Sequence, residues 1–266
     1  MIKFESEKKY IMTNTEVLEI AMRQSAVDCN CDAGDFRLKT NKVVLSADNP
    51  LARKYLTLPF YCDLVSYGDN VVASVSAEIA DFVEKYINKY PIGHCFETPN
   101  LHMLNDELQK HGMRICFMAE YFLPDVEVLK RISCGYDIKL LFPKDFIDLY
   151  KPEWENSLCE KRKTLDMLAM GAFDKEKLIG LAGCSADCED MWQIGVDVLP
   201  EYRKMGIASA LTSNLAVEIL NRNKVPFYCC AWSNIRSVRN AIKSGFKPAW
   251  AEMTAKSIGF VNEMNK

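Results

Sequence analysis

Histidine is scarce in this chain, with 3 in 266 residues, and none of the 11 cysteines stands in a C-x-x-C pair. The nearest approaches, Cys29-Asn30-Cys31 and Cys184 with Cys188, lack the spacing of a structural zinc site, so no metal is expected. An odd cysteine count in a chain of this length argues equally against a disulfide framework and for free thiols packed as small hydrophobes. Glycine is also sparse, at 12 residues. Neither the G-x-x-x-x-G-K-[ST] phosphate loop nor the G-x-G-x-x-G dinucleotide fingerprint is present. No apolar run is long enough to span a bilayer, and Met1–Tyr10 lacks the apolar centre of a secretory leader. A cytoplasmic location with no membrane partner is therefore expected. The net charge of −3 gives no electrostatic reason to bind nucleic acid.

What remains is 49% hydrophobic and 26% charged, the balance of a globular chain with a substantial core. The most informative stretch runs from Met191 to Asn221. Met191–Val198 alternates, with Trp192, Ile194, Val196 and Val198 on one face and Gln193, Gly195 and Asp197 on the other, which predicts a strand. Pro200 ends it. From about Gly206 a helix is expected, with Ile207, Leu211, Leu215 and Ile219 on one stripe and Thr212, Asn214, Glu218 and Asn221 off it. Between them lies Arg203-Lys204-Met205-Gly206-Ile207-Ala208. The first amides of a helix have no partner inside it and favour negative charge. Small residues and two cations there suit a pyrophosphate.

Arg-x-x-Gly-x-Ala after a strand ending in Val-x-x-Pro-Glu-Tyr resembles the acetyl-CoA-binding motif of the GNAT N-acetyltransferase superfamily. Further matches follow in order. Gly171–Ser185 resembles the family's hairpin around a charged turn, Phe227–Trp232 its next strand, and Ser233–Phe246 its Asn-capped helix ending in Gly-Phe. The resemblance covers about the second half of the chain. It implies an α/β (α+β) GNAT fold, in which a mixed, mostly antiparallel sheet splays at the coenzyme cleft between Met191–Val198 and Phe227–Trp232. It also implies acetyl-CoA as co-substrate, held by main-chain groups of Val196, Asp197 and Val198, by the loop residues Arg203, Lys204, Met205, Gly206, Ile207, Ala208 and Ser209, and by Asn234 and Ser237. Direct transfer of acetyl to the amine of a small molecule or peptide is the activity expected.

The catalytic positions depart from the family. Its helix tyrosine is replaced by Ala241, and Cys229 stands where some members carry a glutamate on the second strand. Glu189 and Asp190 are then the carboxylate candidates, with Cys229 as an alternative acid. A non-catalytic acyl-CoA-binding or sensing protein is the second reading.

The first half is read as a separate α/β lobe, residues 1–130, preceding the GNAT domain, residues 131–266. Val17, Leu18, Ala21 and Met22 share a face of a first helix capped at Asn14 or Thr15. Lys42–Ser46 and Tyr61–Val75 read as strands, the latter broken at Gly68-Asp69. A helix after Ser76 stops at Pro91. Strand His94–Thr98, a helix ending at Gly112 and strand Arg114–Phe122 match the order of the second half, as a degenerate GNAT-like repeat or as an unrelated domain. Past Pro143, residues 144–150 and then 155–168 read as helical, with Trp154 and Glu155 as weak acceptor contacts on a surface connection. A homodimer is left open.

Overall fold

The computed structural model describes residues 11–266; the Met1–Tyr10 stretch read above lies outside them. In chain order the elements are α1 (Asn14–Cys29), β1 (Lys42–Leu45), β2 (Cys62–Ser66), β3 (Val72–Val75), α2 (Ala80–Lys89), α3 (Thr98–Lys110), β4 (Met113–Pro124) and β5 (Asp137–Leu141). They continue with β6 (Asp166–Asp174), β7 (Lys177–Ser185), β8 (Met191–Val198), α4 (Ile207–Leu220), β9 (Val225–Ala231), α5 (Ile235–Lys243), β10 (Phe246–Ser257) and α6 (Ile258–Met264).

Two compact units emerge, each discontinuous in sequence. One joins residues 11–20 to Phe122–Pro248, and the other joins Ala21–Tyr121 to Ala249–Lys266. Sequence reasoning draws instead a single boundary near residue 130. Both units are mixed sheets with helices, an α+β architecture.

The unit containing Ala21–Tyr121 has strands in the order β1-β3-β2-β10-β4. β1 is parallel to β3, whereas β2 is antiparallel to both β3 and β10. One face buries Leu64, Ala73, Val75 and Met253 against Val83, Tyr86 and Ile87 of α2 and Leu104 and Leu108 of α3. Buried polar groups include Asp63, whose Oδ1 accepts from Thr254 Oγ1 at 2.6 Å, and Arg53, paired with Asp28 at 2.8 Å.

The other unit carries β9-β8-β7-β6-β5 in that order. Its ladders are antiparallel from β5 to β8, and β8 runs parallel to β9. At the start of α1, Thr13 rather than Asn14 or Thr15 is the cap. Its Oγ1 accepts from Glu16 N at 3.2 Å while Glu16 Oε2 accepts from Thr13 N at 2.7 Å, a reciprocal capping box. Asn14 instead donates to Asp125 Oδ1 at 2.9 Å and accepts from Val126 N at 2.9 Å.

Several expected elements are replaced. Residues Ile92–Phe96 form a 3-10 helix instead of a strand. Adjacent Cys95 and Phe96 are both buried, which the alternation of a strand does not allow on one face. The helix after Ser76 starts only at Ala80, because Ser76 first makes a turn, its carbonyl accepting from Ile79 N. Between Pro143 and Pro152 the chain makes two single 3-10 turns, Pro143–Asp145 and Ile147–Leu149; too few residues separate the prolines for a stable α-helix. Glu160–Leu165 is likewise 3-10, and β6 begins at Asp166. Trp154 is buried with Phe146, Leu158, Ala169 and Leu181 rather than lying on the surface.

α4 is buried on all sides apart from Ala208 and Glu218, instead of being two-faced. Its polar residues are satisfied internally. Asn214 Nδ2 donates to the carbonyls of Ile132 at 2.9 Å and Ala210 at 2.8 Å. Its Oδ1 accepts from Arg131 Nη1 at 3.2 Å, and Thr212 Oγ1 accepts from Asn240 Nδ2 at 3.1 Å. Hydrogen bonding lets these groups enter the interior without the desolvation penalty of an orphaned polar atom.

Candidate functional site

β8 pairs with β9 only over Met191, Trp192 and Gln193, opposite Val225, Pro226 and Phe227. β8 continues to Val198 and β9 to Ala231 without further pairing between them. On its other side β8 stays paired with β7 from Gln193 to Val198. The amide of Leu199 donates to the Ile179 carbonyl at 3.0 Å, which fixes the alternation. Gln193, Gly195 and Asp197 turn their main-chain groups to β7, and Ile194, Val196 and Val198 turn theirs toward β9, where the ladder has ended. Main-chain donors and acceptors left this way need a partner. Val198 has one, since Arg203 Nε donates to its carbonyl at 3.0 Å. Val196 is the better placed of the two for an incoming chain.

The loop that follows is shaped by two left-handed residues, Lys204 at φ 67 and Gly206 at φ 81. Gly206 is the N-cap of α4, and a Cβ built on it meets nothing within 4 Å. The space above the first turn is therefore open, and the amides of Ile207, Ala208 and Ser209 have no acceptor inside the helix. Lys204 and Met205 are exposed. The loop is braced from beside: Tyr136 O–H donates to Met205 Sδ at 3.4 Å, Tyr202 O–H to Asp174 Oδ2 at 3.0 Å, and the rings of Tyr136 and Tyr202 meet edge-on at 5.8 Å. Ser209 Oγ turns inward to Asn240 Oδ1 at 3.1 Å.

Asn234 caps α5 and accepts from Ser237 N at 3.2 Å. Ser237 Oγ shares a hydrogen with Tyr228 O–H at 2.6 Å, and burial holds the Tyr228 phenol above its ordinary pKa. Cys229 is half-buried just past the last β8–β9 pair, where Gln193 Nε2 donates to its Sγ at 3.1 Å. Ala241 is fully buried in α5.

Glu189 and Asp190 are exposed at the other end of β8. Asp190 pairs with Lys224 at 3.3 Å, and its carbonyl accepts from Val225 N at 2.8 Å, so it closes the paired end of the ladder. At the rise of a strand it lies about 20 Å from Val196. The structure does not bring these carboxylates to the opening.

The Asp197 carboxylate stands on the sheet face it shares with Gln193 and Gly195. It accepts from Asn156 N at 3.0 Å, Asn156 Nδ2 at 2.7 Å, Ser157 N at 2.9 Å and Ser157 Oγ at 2.9 Å. Ser157 Oγ also lies 2.7 Å from the Leu181 carbonyl. Sequence reasoning names Trp154 and Glu155 in this segment but misses Asn156 and Ser157, and also Gln193 as the neighbour of Cys229. Glycines inside two strand patterns carried the signal for the segment, because interior strand glycine marks close backbone approach. A Cβ on Gly195 would stand 1.7 Å from the Asn156 carbonyl oxygen, and one on Gly183 2.0 Å from that of Ser157.

On the same sheet face, Asp166 accepts from Tyr150 O–H at 3.0 Å and Cys159 N at 3.0 Å. Burial, with a further contribution from Asp187, pushes its carboxyl up to about 6. All 11 cysteines are free. Among the described residues no cluster of three or more His, Cys, Asp or Glu could hold a metal ion, and no helix is long and apolar enough to cross a membrane.

A family model described as the acetyltransferase (GNAT) family matches residues 136–246. Residues 136–246 are a GNAT-family domain. The match spans β5 to the first residue of β10, and so contains the interrupted β8–β9 ladder and the Gly206 loop. No curated protein matches the chain. Among solved structures, a GCN5-related N-acetyltransferase-like protein from Streptococcus suis is 19% identical over 60% of this chain and 68% of its own, at a TM-score of 0.44. A GNAT-family acetyltransferase from Novosphingobium aromaticivorans is 18% identical over 54% of this chain and 66% of its own, at 0.39. A functionally unknown protein from Staphylococcus epidermidis is 14% identical over 72% and 86%, at 0.40. These likenesses add nothing to the assignment of the GNAT domain.

Proposed function

We propose that this protein is an N-acetyltransferase that moves acetyl from acetyl-CoA directly to the amine of a small molecule or peptide. The observation that carries the reading is the end of β8–β9 pairing after Gln193 and Phe227 while β8 runs on to Val198. An extended chain bearing amides, such as pantetheine, fits beside the free main-chain groups of Val196. The open first turn of α4, with its amides, the positive helix end and Lys204, suits the pyrophosphate. Arg203 supplies charge nearby while its Nε is engaged with Val198. Asn234 and Ser237 border the β9 side.

In the transfer step the nitrogen lone pair of a neutral amine attacks the thioester carbonyl. The carbon–sulfur bond breaks, and its electron pair leaves on the CoA thiolate. A main-chain amide of β8 polarises the carbonyl, and holding the reactants together supplies much of the acceleration. The amine gives up a proton to solvent. Cys229, beside the gap and contacted by Gln193, is placed to protonate the departing sulfur. Neither nucleic acid nor membrane is among the proposed partners.

A second reading, a non-catalytic acyl-CoA-binding protein, is favoured by two observations: Ala241 is buried where the family's acid would stand, and Glu189 and Asp190 lie at the closed end of the ladder. Calorimetric titration with acetyl-CoA and thiol release across an amine library test both readings. Binding with amine-dependent thiol release supports transfer, binding without release supports the second reading, and absence of binding removes both.

A further inference from the structure

The coenzyme reading uses the edge of β8 that faces β9 and leaves the Asp197 side chain unexplained. That side chain sits on the sheet face carrying Gln193 and Gly195, where the chain from Trp154 to Leu158 lies directly on the strand. Two independent features hold the segment there. Trp154 and Leu158 are buried with Phe146, Ala169 and Leu181, and the Asp197 carboxylate takes the four donors of Asn156 and Ser157. The approach is close enough that neither Gly183 nor Gly195 has room for a Cβ. Gly195 immediately precedes Val196, whose main chain faces the gap. A shift of the segment therefore changes the space one residue away from the proposed thioester position.

We propose that Asp197 is a positioning residue which pins residues 154–158 onto β8 as a wall beside the opening, and that this wall keeps water from the thioester. The inference rests on the acetyl-CoA reading. Two of the four donors are backbone amides at adjacent residues, so the carboxylate fixes the path of the wall as well as one side chain. Charge-assisted bonds of this kind are about twice as strong as neutral ones. Asn at position 197 keeps the shape but offers one acceptor oxygen and turns an amide group toward donors.

Water is the probe acceptor for the test. In the side reaction its oxygen bonds to the acetyl carbon, the carbon–sulfur bond breaks, and acetate and free CoA thiol form. Asp197→Asn and Gly195→Ala, which displace the wall from two directions, are compared with the parent chain for thiol release from acetyl-CoA without any amine. Both should raise the background by about fivefold or more, since opening a closed site admits water, while the acetyl-CoA Kd stays within about threefold of the parent. Hydrogen exchange at the Asn156 and Ser157 amides should be slow in the parent and faster in Asp197→Asn.

A purely structural role would lower coenzyme affinity or thermal stability without raising the background, and that result overturns the proposal. If Asp197→Asn does not fold, Gly195→Ala decides. If neither folds, fast exchange at Asn156 and Ser157 in the parent overturns it. A parent that binds no acetyl-CoA overturns the coenzyme reading and this inference with it. A parent that binds, beside variants with unchanged background, overturns this inference alone.

Discussion

Replacing Gly206 separates backbone strain from charge at the mouth of α4. Gly206 has φ 81, a region that costs a residue with a Cβ about 1–2 kcal/mol. The added Cβ itself meets nothing within 4 Å, so Gly206→Ala carries strain and no clash. For a chain of this size that corresponds to about 2–8 °C in Tm. Gly206→Glu adds the same strain plus a carboxylate beside the pyrophosphate. At about 6 Å and an effective dielectric between about 20 and 80, each unit charge contributes about 0.7–2.8 kcal/mol of repulsion. Screening at physiological salt halves that roughly. Against two phosphate charges the penalty is about 1–3 kcal/mol, a five- to hundredfold loss of affinity. Thermal melts and calorimetric titration with acetyl-CoA read the two quantities apart. Both variants should melt together, Gly206→Ala should bind within a few-fold of the parent, and Gly206→Glu should bind much more weakly, with the gap narrowing at high salt. A Gly206→Glu protein that binds as tightly as Gly206→Ala refutes the placement of the pyrophosphate.

Asp166, 3% exposed and pushed up from 3.8 to about 6 chiefly by burial, favours its neutral form in the folded chain. Its contribution is full below the unfolded value and is lost as pH rises through about 6. Asp166→Asn should therefore gain about 2 kcal/mol on the parent between pH 4 and pH 7; urea titrations showing a constant gap would exclude this. Removing the Asn214 side chain takes a donor from the Ile132 carbonyl and one acceptor from Arg131, which keeps Glu218, so Asn214→Ala should lose about 1–3 kcal/mol, and an unchanged denaturation midpoint would contradict the network. Cys184, buried and raised to about 12, should resist maleimide at pH 7.5 until the chain unfolds. Cys229 should label in the native state, and acetyl-CoA should slow that labelling; mass spectrometry showing no protection would place the thioester elsewhere.

The second half was legible because its strands alternate cleanly and its loop combines cations with glycine at a helix start. Met191–Val198 was predicted to the residue. What was not legible depends on partners distant in sequence. Asn214 and Thr212 read as the wet side of a helix, yet Ile132, Arg131 and Asn240 supply bonds that let them go inside. Residues 143–165 resisted because 3-10 turns follow proline spacing and the burial of single anchors such as Phe146 and Trp154, not a repeating stripe. Asp197 was read through its main chain alone, and nothing near it in sequence reveals that its carboxylate holds Asn156 and Ser157. Glu189 and Asp190 were placed at the start of the right strand, but a parallel ladder opens at the opposite end.

The middle strand of the sheet built from Ala21–Tyr121 waits for a neighbour from far along the chain: Asp63 and Thr254 meet across 191 intervening steps of sequence. During synthesis, β2 would leave the ribosome with an edge that only β10 can cover. Until then Leu64 and Val65 would be held by local contacts and by whatever chaperone attends the nascent polypeptide. A gene cut anywhere between β2 and β10 would leave that edge bare, so paired fragments should be recovered in soluble form only when expressed together.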